Sequence, residues 1–65
     1  MIIKIKDKTK RIHLSKSKKI SEILEENLKI NPEIVIVKKN GILVPIQDKA
    51  DNNSKLELFY IISGG

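Results

Sequence analysis

The sequence predicts a two-layer α+β domain, with one helix packed on one face of a mixed five-stranded sheet. Three observations carry that prediction. The apolar residues alternate over residues 2–6, fall on a helical stripe over residues 20–28, and alternate again over residues 55–62. The segments therefore follow the order β-β-α-β-β-β, and one helix with a single apolar stripe covers only one face of a sheet. Thirteen of the twenty-six hydrophobic residues are isoleucine, and only Phe59 and Tyr60 are aromatic, so β-branched side chains dominate the core inventory.

In chain order, Ile3 and Ile5 share one face of the first strand and Lys4 and Lys6 the other. Asp7-Lys8-Thr9-Lys10 reads as a turn, and Arg11-Ile12-His13-Leu14 as the second strand of a hairpin, with His13 facing solvent. Ile20, Ile23, Leu24 and Leu28 then form the stripe of a helix over residues 19–30, closed by Asn31-Pro32. Its start is poorly marked. Ser17 and Ser21 are the side chains suited to cap it, yet neither has Glu or Gln three positions on.

Ile34-Val35-Ile36-Val37 is apolar on both faces, as an interior strand is. Asn40-Gly41 is a strong two-residue hairpin signal before Ile42-Leu43-Val44, and Pro45 confines that strand to an edge or ends it. Residues 47–54 read as a polar loop, and residues 55–62 as the longest strand. A right-handed crossover through the helix pairs the first and last strands in parallel at the sheet's centre. The expected organisation is a single domain over residues 1–62 with a flexible Ser63-Gly64-Gly65 tail.

Composition narrows the function. At 65 residues the chain is too short to enclose a pocket with its own catalytic apparatus. It has no cysteine, which excludes disulfides and thiol chemistry, and a single histidine, so no multi-histidine centre is expected. No cofactor or metal is expected on the chain itself. No apolar run reaches the roughly 20 residues of a membrane span, and the N-terminus lacks a signal-peptide block, so the reading is a cytoplasmic protein. Charge is uneven: residues 1–19 hold eight basic side chains against Asp7, and residues 20–65 hold five against seven acidic ones. The basic end reads either as a solvated lysine-rich hairpin or as a surface for an acidic partner.

The sequence stops at Gly64-Gly65 directly after a hydrophobic strand. Two glycines form a side-chain-free thread that can enter a narrow channel and present a terminal carboxylate to another protein's active site. Taken with Lys39-Asn40-Gly41, Val44-Pro45 and Leu56-Glu57-Leu58-Phe59 leading into Ile61-Ile62-Ser63-Gly64-Gly65, the chain resembles the ubiquitin-like sulfur carriers of the ThiS/MoaD group, on the ThiS side. The resemblance covers the whole chain in element order, and its specific part is residues 39–65. Asp51-Asn52-Asn53-Ser54 departs from the Asp-Gly-Asp turn common in that group, and Lys19 from a helix-capping threonine. Asp and Asn make the same turn through Asx geometry.

The resemblance implies a β-grasp fold and a cycle run by other enzymes. A ubiquitin-activating-type adenylyltransferase would attach AMP from ATP, with magnesium, to the Gly65 carboxylate. A persulfide donor would then leave a thiocarboxylate there, for a sulfur-accepting enzyme of thiamine thiazole or molybdopterin synthesis or of tRNA thiolation. The chain would be a protein cosubstrate rather than an enzyme. The resemblance also assigns docking on the activating enzyme to Phe59 and Leu43, with Ile61 as neighbour; the competing reading buries Phe59 in the core.

Two other classes use the same residues differently. A protein modifier would join Gly65 to lysines of target proteins. A nucleic-acid module would use Lys4, Lys6, Lys8 and Lys10, but Phe59 and Tyr60 point oppositely on one strand and cannot stack adjacent bases.

Overall fold

The computed structural model describes residues 1–61; Ile62, Ser63, Gly64 and Gly65 lie outside the described residues. The chain opens with an antiparallel hairpin of β1 (Ile2–Ile5) and β2 (Lys8–Arg11). Its turn is only Lys6-Asp7, with Lys6 in the left-handed region at φ 53°. The second strand thus begins earlier than the apolar alternation of residues 11–14 suggests. All four residues of β2 are exposed on a sheet edge, so the backbone ladder holds them and no hydrophobic period marks them. Ile12 and Leu14 instead lead the chain under the domain, where Leu14 is buried. His13 is exposed, as expected.

A short ribbon of β3 (Lys18–Lys19) and β6 (Lys49–Ala50) follows. The helix α1 (Ile20–Glu22) continues directly as a π-helical stretch over Ile23–Asn27. Its start needs no serine. The N–H groups of Ile20 and Ser21 donate to the carbonyls of Asp48 and Ile46, at 2.8 and 2.9 Å. Lys19 occupies the cap position, and its own N–H donates to Oε1 of Glu22 at 3.2 Å. The ribbon and its loop therefore satisfy the donors that a capping side chain would otherwise take.

The helix ends where Lys29 turns left-handed at φ 58°, and the Ile30 N–H closes back on the Leu24 carbonyl at 2.8 Å. A 3₁₀ turn at Pro32–Ile34, capped by Asn31, delivers the chain into β4 (Val35–Lys39). Asn40 and Gly41, at φ 52° and 85°, make the two-residue turn to β5 (Ile42–Val44), which stops at Pro45. The last strand is β7 (Lys55–Tyr60).

These strands form a five-stranded sheet in the order β2-β1-β7-β4-β5. β1 and β7 pair in parallel, with Ile3 beside Leu56 and Ile5 beside Leu58; the other pairs are antiparallel. One sheet face packs on the helix. Ile3, Val37, Leu56 and Leu58 from the sheet meet Ile20, Ile23 and Leu24 from the helix in a single buried core.

The departure from an Asp-Gly-Asp turn is absorbed as expected. Asp51 Oδ1 accepts from the Asn53 N–H at 2.9 Å, which is Asx geometry. Asn52 does more than turn the chain: its Oδ1 accepts from the Leu14 N–H and from the Met1 nitrogen, tying the chain start to this loop. Two exposed ion pairs, Lys18–Glu26 and Lys39–Asp48, hold those carboxyls below their usual ionisation range through hydrogen bonds from the lysines.

Candidate functional site

The strand that runs toward the glycine tail also builds an exposed surface. Along β7, Leu56 and Leu58 point into the core, so Glu57 and Phe59 point to the uncovered face of the sheet. The antiparallel register places Ile36 of β4 opposite Phe59, and Lys38 opposite both Glu57 and Leu43 of β5. Phe59 is 46% exposed, Leu43 61% and Ile61 51%, which rules out the reading that Phe59 fills the core. Phe59 and Leu43 stand on this face by strand alternation and register, Leu43 on the edge strand β5 beside Lys38, while Ile61 is exposed just past the end of β7. Gly64 and Gly65 lie outside the described residues.

Two members of this surface escaped the sequence reading. Ile36, 43% exposed, is the cross-strand partner of Phe59. It was hidden because an interior strand apolar on both faces looks buried on both. The signal that finds it is the register: aligning the Asn40-Gly41 hairpin and then β7 puts Ile36 beside Phe59. Lys38 is the second. Its Nζ lies 5.7 Å from the Phe59 ring centroid, within cation–π range. Lys4 flanks Glu57 from the other side, so charges border the apolar centre.

Tyr60 continues the core face of β7 yet is 42% exposed at the rim, with Lys6 Nζ 5.5 Å from its ring centroid. Among the described residues no group of three or more His, Cys, Asp or Glu side chains comes together. No helix among them is long and apolar enough to cross a membrane. The surface is an apolar centre with a charged border, suited to contact with another macromolecule.

The crystal structure of the thiamine biosynthesis protein ThiS from Geobacter metallireducens matches this chain over 100% of both, with a TM-score of 0.66 at 20% identity. The chain has the ubiquitin-like β-grasp fold of ThiS. The solution structure of a thiamine biosynthesis protein from the same organism agrees, at TM-score 0.64 and 23% identity over 100% of this chain and 88% of the other. No protein-family model matches the sequence. An uncharacterized protein of Archaeoglobus fulgidus is 49% identical over 45 residues. That match takes in 69% of this chain and 64% of the relative, so it spans less than two thirds of the relative's length.

Proposed function

We propose that the chain is a ThiS-like sulfur carrier whose reactive group is the carboxylate of Gly65. The observation that carries the reading is the full-length match to the ThiS fold, in which Phe59 of β7, Leu43 of β5 and Ile61 just after β7 are exposed, and the sequence after β7 continues to Gly64-Gly65. A carboxylate resists substitution until it carries a leaving group. A partner adenylyltransferase, using ATP and magnesium, forms the acyl adenylate at Gly65 and releases pyrophosphate. The terminal sulfur of a persulfide donor displaces AMP, a second thiol cleaves the resulting S–S bond, and a thiocarboxylate is left on Gly65. An acceptor enzyme of thiazole synthesis takes that sulfur. With no cysteine in the chain, the terminus is the one place where it can hold transferable sulfur.

The test is intact mass spectrometry of the chain after incubation with ATP, a persulfide donor and the adenylyltransferase of its own host. The expected product has one oxygen replaced by sulfur at Gly65. Deleting Gly64-Gly65 is expected to abolish AMP attachment and leave the thermal midpoint unchanged. A full-length chain that accepts AMP from no activating enzyme of the host overturns the reading. Recovery only as isopeptide conjugates to other proteins overturns it in favour of a modifier.

A further inference from the structure

We propose that the tip of the β1–β2 hairpin, beside the root of the tail, is an electrostatic clamp for an acidic segment of the protein that activates Gly65. The inference rests on the activation step above and adds the chemistry of the partner's surface.

Lys4, Lys6, Lys8 and Lys10 are all exposed. Lys4 points to the uncovered face, Lys8 and Lys10 lie across from Ile5 and Ile3 on the helix side, and Lys6 occupies the turn between them. Positive charge thus wraps both sides of one hairpin tip. The parallel pairing of Ile5 with Leu58 sets that tip against the C-terminal end of β7. Two hollows open there on either side of Tyr60. One of about 420 Å³ lies between Lys6, Lys8, Lys10, Ile30 and Tyr60. The other, of about 300 Å³, lies between Lys4, Lys6, Phe59 and Tyr60. The acidic side chains at these hollows are Asp7 and Glu57, and the ion pairs among the described residues lie elsewhere, at Lys18–Glu26 and Lys39–Asp48.

An acidic protein segment fits this arrangement better than a nucleic acid does. The larger hollow has apolar lining from Ile5, Leu28 and Ile30, which suits a peptide carrying carboxylates beside apolar side chains. Phe59 and Tyr60 lie on opposite faces of β7, so they offer no continuous platform for successive bases. Like-charged groups gathered at the point where the tail leaves raise the local potential there. That field steers an oppositely charged surface onto the tail rather than onto the body at large.

The experiment measures adenylation by the host adenylyltransferase, with ATP, as a function of carrier concentration and NaCl. For the wild type, KM is expected to rise as salt increases. The Lys6→Glu/Lys8→Glu/Lys10→Glu variant is expected to raise KM by roughly 10- to 100-fold at low salt, to leave kcat within about twofold, and to lose the salt dependence. The neutral Lys6→Gln/Lys8→Gln/Lys10→Gln variant is expected to lie between them, with circular dichroism verifying the fold of each. A control, Lys16→Glu/Lys19→Glu/Lys49→Glu, makes the same charge change at the far end of the molecule and is expected to have a much smaller effect. Equal effects from both ends, or an unchanged KM in the hairpin variant, overturn the clamp while the sulfur-carrier reading stands. Binding of the wild type to yeast tRNA that the hairpin variant loses, with KM unchanged, overturns it in favour of a nucleic-acid surface. A wild type that is never adenylated at any salt overturns both.

Discussion

Single residues decide the turns that place the exposed surface. Gly41 sits at φ 85°, and a Cβ built there meets nothing within 4 Å. Gly41→Ala therefore isolates the backbone cost of a left-handed L-residue from any steric clash. The expected loss is about 1 kcal/mol, read as a lower urea midpoint at unchanged m-value. A loss well above that would mean the turn does more than join β4 to β5. Its neighbour gives a reason to expect such coupling to be limited: Asn40 bonds β7 with its own groups, Oδ1 accepting from the Lys55 N–H and its N–H donating to the Lys55 carbonyl. Register between β4 and β7 is thus pinned at Asn40, and Ile36 meets Phe59 four positions along β4 from that pin.

At the scale of elements, the helix is the most irregular part, and its C-terminus carries a removable strain. Lys29 is left-handed at φ 58° with its side chain exposed, in a position where glycine is the usual residue. Lys29→Gly is expected to stabilise the domain by about 0.5–1 kcal/mol in urea denaturation, since the strain relieved exceeds the added chain entropy. A destabilised variant would show that the lysine stem packs usefully on the helix end. Element signals in the sequence were uneven for a physical reason. The apolar stripe of the helix, the Asn40-Gly41 turn and the alternation of β7 were legible because each is written in buried side chains or special backbone angles. β2 was displaced because its four residues are all exposed. The ribbon of β3 and β6 went unread because three of its four residues are lysines, and its role is to supply backbone acceptors to the helix start. Alternation, with the more continuous apolar set of the last strand turned to the helix, puts Phe59 and Ile61 on the open face; the docking role of Phe59, Leu43 and Ile61 was legible only through family resemblance.

For the whole molecule, the balance of charge sets a stability that should depend on salt in an unusual direction. The body measures 35 × 23 × 22 Å, while the screening length is about 30 Å at 10 mM salt and about 8 Å at 150 mM. At 10 mM every lysine of the hairpin therefore feels the others across the full width of the fold. The ion pairs that salt would weaken, Lys18–Glu26 and Lys39–Asp48, are largely exposed and contribute little. Repulsion among Lys4, Lys6, Lys8, Lys10 and Arg11 is the larger quantity, and screening relieves it. The thermal midpoint is accordingly expected to rise by roughly 2–4 °C between 10 and 150 mM NaCl, on the scale at which 1 kcal/mol moves a small domain by about 4–8 °C. Lys8→Gln/Lys10→Gln is expected to raise the low-salt midpoint and to flatten the dependence, because both side chains are exposed and neither fills the core. A midpoint that falls with salt would mean that attraction between the basic hairpin and the acidic remainder outweighs the repulsion. The hairpin would then be a stabilising feature of the fold. A rise means that the fold tolerates an unfavourable concentration of charge at the root of its tail, where an acidic partner would neutralise it.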